Sequence, residues 1–490
     1  MFTRLRAPLA ASLVCFFILC SAGCSVPLAP GYRILKESRE IRFVPGPPLE
    51  LRIRAEFTLE NYGQGELAFI DAVLPGEREF GRKNLRAQVD GRDAAIAELP
   101  EELRHSSPWT LRIQLDAPWQ QKQKRKLALE YTLSSPEDRG RRITLGENDF
   151  HLGSSGWFPV LEPPRHVLAP FPARPDKTSV AIVVPSDFRL LSRGKPSGRK
   201  QSEGETEYRF LLRTADLAPY VVAGRYAESA AGAKSEGAVF WTLEPLKQDE
   251  SSAAAQIAAA WKILKSDFGP LDKNPAVPHI VESTSLRAHF SGEEGPAASP
   301  FPGGALVNPA ALSLGIGSEE FLQKVAHALA HDWFSGEVYP SEDSSIGIGE
   351  GLPEYATIVI DEARGGAAAR EKRVAKLLSE YKAASALAAE KPVGFTRPDD
   401  PAEQRRIALV KAPLFYVALE DAYGEAAVRA GLARFVSLLR GREVGYDDLR
   451  AALEESTGKN LAAPFRAWIY ETGIPKEFLL KFAGANQPAP

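Results

Sequence analysis

Cysteine is missing from almost the whole of this 490-residue chain. The three cysteines, Cys15, Cys20 and Cys24, all lie within the first 24 residues. The rest of the chain therefore contains no disulfide bond, no thiolate metal site and no cysteine nucleophile. A large charge of one sign is missing too. The net charge of −3 gives no reason to expect a nucleic acid or an anionic membrane as partner.

A long apolar run is also missing from the N-terminus, where residues 7–19 are too short for an ordinary membrane span. Arg4 and Arg6 precede this run and small residues follow it, so residues 1–23 are predicted to be an export signal. The stretch LCSAGCS resembles a bacterial lipobox, which would make Cys24 the lipidated first residue of the mature chain. Ordinary cleavage after Gly23 is the alternative. Both predict an extracytoplasmic protein of the bacterial periplasm or outer surface, held to a membrane only through a lipid anchor.

The chain is too long for one compact core, so more than one domain is expected. Residues 32–237 are predicted to form one domain, which is strand-like to about residue 225, and LELRIRAEFTL (49–59) alternates as a half-buried strand does. We expect a β-sandwich-like N-terminal domain there, ending in the small polar stretch AESAAGAKSEG. Residues 238–480 are predicted to form an α/β domain with a helical end, and residues 481–490 a disordered tail.

Four features of the second half make specific predictions. SSAAAQIAAAWKILKSDFG (251–269) is predicted to be a helix that serines cap and a glycine ends. HIVES (279–283) is predicted to be a strand, and the Gly- and Pro-rich residues 291–309 to be mostly loop. Ser318 is predicted to cap a helix whose first turn carries Glu319 and Glu320.

That helix contains the sequence HALAH, with His327 and His331 one turn apart. Residues at i and i+4 share a helix face, so both imidazoles can bind one ion. Zinc needs a third protein ligand, and Glu350 at the start of the next helix is a candidate. The simpler interpretation is that such a histidine pair is only packed or solvated.

The wider pattern resembles the M1 family of zinc metallopeptidases, the gluzincins that include aminopeptidase N and leukotriene A4 hydrolase. HALAHDWFSGEVYP followed by GIGEGLPEYA is similar to the family's HExxH, eighteen residues and a liganding glutamate. GWFPVLEP (156–163) looks like the end of the family's N-terminal β-domain. FRAWIYETGIP (465–475) looks like part of its closing helices. The resemblance implies a thermolysin-like domain with one Zn²⁺ bound by His327, His331 and Glu350, and Glu354 orienting a histidine.

Three departures from the family pattern bear on activity. Ala328 stands where the family has the glutamate that takes a proton from the attacking water. Leu409, in LVKAPLF, stands where the family has an oxyanion-stabilising tyrosine, and Tyr416 lies two turns further on. The G-x-M-E-N stretch that binds a free amino terminus is not recognisable. We expect its strand at PGGALVNP (302–309), with Glu293 and Glu294 as carboxylates that are more simply solvated.

These departures leave three hypotheses. The first is an M1-like homologue that binds zinc, and a peptide or protein ligand, with impaired or absent hydrolysis. The second is an active zinc aminopeptidase with a substitute base, for which Asp332 is expected to face away from the metal. The third is a metal-free structural protein in which the histidines pair with Glu350 and Glu354.

Overall fold

The computed structural model describes residues 31–63, 65–99, 109–134, 143–153, 157–162, 175, 177–192, 194–213, 220–229, 237–246, 250–271, 277–284, 286 and 297–483. Several expectations fall outside these residues: the signal segment 1–23, the lipidation candidate Cys24, the carboxylates Glu293 and Glu294, and residues 484–490. Among the described residues, no helix has both the length and the apolar character to cross a membrane.

Strands occupy most of the first half of the described chain. They are β1 (Tyr32–Val44), β2 (Glu50–Asn61), β3 (Leu67–Val73), β4 (Lys83–Val89), β5 (Arg92–Asp93), β6 (Ile96–Glu98), β7 (Thr110–Trp119), β8 (Lys124–Leu133), β9 (Ile143–Leu145), β10 (Asp149–Leu152), β11 (Val160–Leu161), β12 (Lys177–Pro185), β13 (Arg189–Ser192), β14 (Lys195–Ser202), β15 (Glu205–Arg213), β16 (Val221–Gly224), β17 (Ala227–Glu228), β18 (Val239–Thr242), β19 (His279–Glu282), β20 (Ala298–Phe301), β21 (Gly304–Val307), β22 (Tyr339–Pro340) and β23 (Glu443–Val444).

Helices occupy most of the second half. They are α1 (Glu77–Phe80), α2 (Ser251–Phe268), α3 (Pro309–Ser313), α4 (Glu319–His331), α5 (Gly351–Ser385), α6 (Ala402–Tyr423), α7 (Glu425–Leu438), α8 (Tyr446–Thr457), α9 (Ala462–Phe465) and α10 (Lys476–Ala483). Short 3₁₀ turns lie at Glu342–Ser344 and Val393–Phe395, and wider π-type turns at Asp332–Glu337, Ser345–Glu350 and Arg466–Tyr470.

The N-terminal strands form three sheets around one core. The largest has eight strands in the order β14-β15-β12-β1-β2-β8-β4-β5, and the two smaller ones are β13-β16-β10-β9 and β11-β3-β7-β6. Every second residue of β2 from Leu51 is buried, as the alternation in the sequence predicts. The buried side chains include Phe43, Trp119 and Trp157. The expected sheet-rich N-terminal part is confirmed.

This sheet-rich part continues beyond the position that the family resemblance suggested for its end. β12 follows GWFPVLEP in the chain and pairs in parallel with β1. β15 and β14 then extend the same sheet. The expectation that residues 156–163 mark the end of the β-domain is therefore wrong, because the largest sheet needs strands from both sides of that stretch.

The second half combines a small mixed sheet with packed helices, which confirms the expected α/β part with a helical end. The sheet has the order β17-β18-β19-β21-β20, and HIVES forms β19 as predicted. The helical core buries Trp261 and Trp333, whose rings meet edge to face at 5.1 Å. α2 begins at Ser251 after Glu250 without a side-chain cap, so the predicted serine cap is wrong.

Two other local expectations also differ. Residues 291–309 were expected to be mostly loop with a strand at 302–309; β21 lies in that stretch, but it also pairs with an unexpected strand, β20, to form a hairpin. The two residues between these strands, Pro302 and Gly303, make a tight turn, and Gly303 has a φ of 85°. At the C-terminus, α10 continues to Ala483, three residues into the segment expected to be a tail.

Candidate metal centre

α4 carries the histidine pair and is anchored at both ends. At its start, the Ser318 hydroxyl accepts a hydrogen bond from the Phe321 amide at 3.2 Å, which confirms the predicted cap. Phe321, Val325 and Leu329 recur at helical spacing and are buried against the core. Just beyond the helix, the Trp333 indole donates to the Gly269 carbonyl at 2.8 Å. These contacts fix the rotation of α4 and with it the direction of its histidines.

Glu350 reaches the histidines from the segment that precedes α5. The next residue must be small, because a Cβ on Gly351 would lie 2.6 Å from the Ala412 Cβ of α6. Glycine at this position lets α5 pack closely on α6 while its first turn faces α4. The start of α5 therefore places Glu350 opposite the histidine pair.

The three candidate ligand atoms form a nearly equilateral triangle. His327 Nε2 lies 3.2 Å from His331 Nε2 and 3.3 Å from Glu350 Oε2. His331 Nε2 lies 3.5 Å from the same carboxylate oxygen. Tetrahedral ligands about 2.0–2.1 Å from a zinc ion stand about 3.3 Å apart. The residues present therefore fit a zinc ion, and they form a possible metal-binding group among the described residues.

Hydrogen bonds at the other ring nitrogens leave both Nε2 atoms available as ligands. His327 Nδ1 lies 3.0 Å from Glu354 Oε2 and can donate to it. His331 Nδ1 lies 3.3 Å from the Ser335 hydroxyl, which donates onward to the Gly349 carbonyl at 3.3 Å. These acceptors favour a proton at Nδ1, so Nε2 is the ring nitrogen that each histidine can offer to a metal.

The carboxylates around the triangle are strongly favoured in their charged form. Burial raises the pKa of Glu350, but the charges and hydrogen bonds of His331 and His327 outweigh it, and the pKa falls well below its ordinary value. Burial lowers the pKa of His327, but its hydrogen bonds to Glu350 and Glu354 raise it to about 9. Two ionised carboxylates thus surround a partly buried pair of imidazoles, which is an environment that stabilises a cation.

Arg373 supports this arrangement from the second half of α5. Its guanidinium donates to Glu354, and also to the Gln323 side chain at 3.1 Å. Arg373 and Ser335 were not found from the sequence. Ser335 follows His331 by four residues, so helical spacing was a usable signal for it. Arg373 lies 19 residues beyond Glu354. A break in α5 at Gly366 brings Arg373 into contact with Glu354, and no local sequence pattern indicates that break.

The triangle lies in a cleft of about 820 Å³. The side chains that line this cleft beside the triangle include Ala298, Pro300, Lys324, Glu380, Leu409 and Val410. β20 therefore borders the cleft. The strand beside the cleft was expected within PGGALVNP (302–309), but β21, the strand in that stretch, is buried in the sheet.

The residues at the three departures lie as follows. Ala328 is 1% exposed and belongs to the hydrophobic core, so it offers the cleft no polar group. Leu409 lines the cleft. Tyr416 is fully buried and donates to the Gly347 carbonyl at 2.8 Å, so its hydroxyl is engaged away from the cleft. Asp332 accepts a hydrogen bond from the Gly303 amide at 2.9 Å.

Comparison with known proteins identifies the family of the part of the chain that carries the triangle. Residues 305–468, which include the whole triangle, match the family model described as the peptidase family M1 domain. These residues belong to peptidase family M1. No curated protein matches the chain in sequence.

Solved structures agree with the M1 assignment in fold. An M1 zinc metallopeptidase from Deinococcus radiodurans matches with a TM-score of 0.60 and 18% identity, over 91% of this chain and 96% of that one. A mutant of a Deinococcus radiodurans M1 zinc metallopeptidase, bound to a Tyr-Ser-Ala substrate, matches with a TM-score of 0.61 and 18% identity, over 91% of this chain and 95% of that one. Legionella pneumophila aminopeptidase A, in complex with aspartic acid, matches with a TM-score of 0.61 and 16% identity, over 90% of this chain and 50% of that one.

Proposed function

We propose that this chain is an M1 homologue that binds one Zn²⁺ and a peptide ligand in its cleft, with peptidase activity that is absent or strongly impaired. The observation that carries the proposal is an intact triangle of His327, His331 and Glu350 beside a buried alanine at position 328. Zinc bound there would supply a Lewis acid. The chain would contribute the ligands and the cleft, but no general base.

The loss of two catalytic groups sets the expected size of the defect. A positioned general base contributes about 10²–10⁴-fold to a rate, and one oxyanion donor contributes about 10²–10³-fold. Ala328 has only a methyl group, and Leu409 has no donor. The two losses need not multiply, but either one alone reduces hydrolysis by about a hundredfold or more.

Among the described residues, no other carboxylate of the cleft is well placed to replace the base. Glu354 holds His327 through one oxygen and Arg373 through the other. Glu319 and Glu320 line the cleft but lie a full two turns before His327 on α4, about 10 Å or more along the helix axis. Glu380 lies seven residues beyond Arg373 on α5. It is therefore about 10 Å further along the helix than the residue that contacts Glu354. A general base must lie within hydrogen-bond reach of the water that it deprotonates, at about 3 Å.

Peptide binding without turnover has support from a structural relative. A glutamate-to-alanine mutant of the Deinococcus radiodurans M1 zinc metallopeptidase was crystallised bound to the substrate Tyr-Ser-Ala. We infer that alanine at position 328 likewise leaves room for a peptide. We further propose that the protein acts at the bacterial cell envelope, on the basis of the export signal predicted for residues 1–23 and lipidation predicted at Cys24.

Restoring both missing groups tests the proposal. We expect the double variant Ala328→Glu with Leu409→Tyr to hydrolyse amino-acyl reporters at least a hundredfold faster than the parent chain. A triple variant that also carries His331→Ala is the matched control, since it adds the same groups but removes a ligand. Chelator-sensitive turnover by the parent itself would contradict the proposal and favour an active enzyme. Absence of zinc from the purified parent would favour the metal-free alternative.

A further inference from the structure

The free edge of β20 limits how a peptide can lie in the cleft. β20 is the last strand of the five-stranded sheet, and its residues Ala298 and Pro300 line the cleft beside the triangle. An edge strand can pair with an extended peptide through its unpaired amide and carbonyl groups. Along the described residues of β20, the number of groups left unpaired therefore sets how many ligand residues can pair with this strand.

The hairpin register identifies those groups. The Ala297 carbonyl accepts a hydrogen bond at 3.1 Å from the residue that follows β21. In an antiparallel pair, residues alternate between bonding to the partner strand and facing away from it. Ser299 and Phe301 therefore bond to β21, while Ala298 and Pro300 direct their main-chain groups to the free edge.

Pro300 contributes no bonding group to that edge. Proline has no amide hydrogen. Its carbonyl accepts a hydrogen bond at 3.1 Å from the hydroxyl of Tyr220. Tyr220 comes from the sheet-rich part of the chain, is 8% exposed, and packs against Phe301 with ring centroids 5.4 Å apart. The amide and carbonyl of Ala298 remain, with no partner among the described residues.

We propose that the β20 edge pairs with a single ligand residue, and that Pro300 and Tyr220 end the ladder there. The ligands of this cleft are then short peptides held mainly at one residue, and longer peptides gain nothing by extending along β20. This inference rests on the proposed peptide binding and specifies which peptides the same cleft selects.

A peptide-length series on the zinc-supplemented full chain tests the proposal. Dissociation constants for dialanine to pentaalanine, measured by calorimetry, should agree within twofold for the parent. Tyr220→Phe frees the Pro300 carbonyl, and Pro300→Ala restores an amide hydrogen. Each variant should make pentaalanine bind about three- to tenfold more tightly than dialanine, as one added main-chain hydrogen bond would.

Tyr226→Phe is the matched control. The Tyr226 hydroxyl donates to the Glu282 carbonyl at 3.0 Å, within the same small apolar cluster as Tyr220. This variant should bind every length as the parent does. The two test variants act through different atoms. If one of them fails to fold, the other still tests the proposal.

The outcomes separate this inference from the function on which it rests. A parent that binds pentaalanine more than threefold more tightly than dialanine overturns the inference and leaves peptide binding intact. Length-independent binding by both test variants also overturns the inference alone. No binding of any length by the parent or the variants overturns the proposed peptide binding and the inference with it.

Discussion

Replacing Glu354 by glutamine should weaken zinc binding without removing a ligand. Glu354 Oε2 lies 3.0 Å from His327 Nδ1, and its charge makes His327 a stronger ligand by attracting the Nδ1 proton. Glutamine keeps an oxygen acceptor of the same size but removes the charge. The variant therefore isolates the electrostatic part of this contact.

The expected magnitude follows from the contacts of Glu354. A hydrogen bond to a charged group contributes about 1.5–3 kcal/mol, equivalent to about ten- to hundredfold in a dissociation constant. Arg373 also pairs with Glu354 and neutralises part of its charge. We therefore expect the lower end, an increase of about tenfold in the zinc dissociation constant.

Competition with a chromophoric zinc chelator measures this constant directly. The matched control is Glu380→Gln, a carboxylate that lines the same cleft but makes no contact with the triangle. Its zinc affinity should equal that of the parent. Zinc binding by Glu354→Gln within twofold of the parent, or an equally large weakening in Glu380→Gln, would refute this role of Glu354.

Two further predictions concern stability. Free zinc at a hundred times its dissociation constant should raise the free energy of unfolding by about 2.7 kcal/mol. Thermal melts should detect this gain in the parent and not in His331→Ala. An equal gain in that variant would contradict the assignment of His331 as a ligand. Lys411→Met should lower the free energy of unfolding, measured by urea denaturation, by about 3 kcal/mol. Lys411 is fully buried and donates to Glu390 at 2.8 Å and to the Glu471 carbonyl at 2.7 Å. A loss below about 1 kcal/mol would show that the buried pair contributes little.

The parts of the fold that local patterns control were predictable from the sequence. Alternation of apolar residues predicted β2, and Ser318 with two acidic residues predicted the start of α4. The spacing of His327 and His331, together with the family resemblance that implied Glu350 as a ligand, predicted a group that the fold does bring together. The signals for β2, for the start of α4 and for the histidine pair each lie within one element.

The parts that long-range packing controls were not predictable in the same way. β20 lies in a Gly- and Pro-rich stretch that favours loop, yet pairing with β21 stabilises it as a strand. The pairing of β12 with β1 joins residues about 140 apart, so no local signal showed that GWFPVLEP lies inside the sheet-rich part and not at its end. The contact between Tyr220 and Pro300 depends on how the two halves of the chain meet.

The most direct test of the central claim measures zinc content and peptidase turnover on one sample of the parent chain. If the metal ligands are intact while position 328 provides no base, the sample should contain about one zinc per chain. It should show no turnover of amino-acyl or peptide reporters above a chelator-treated control. Turnover that the chelator abolishes, or a protein that retains no zinc after dialysis against a zinc-containing buffer, would contradict the central claim.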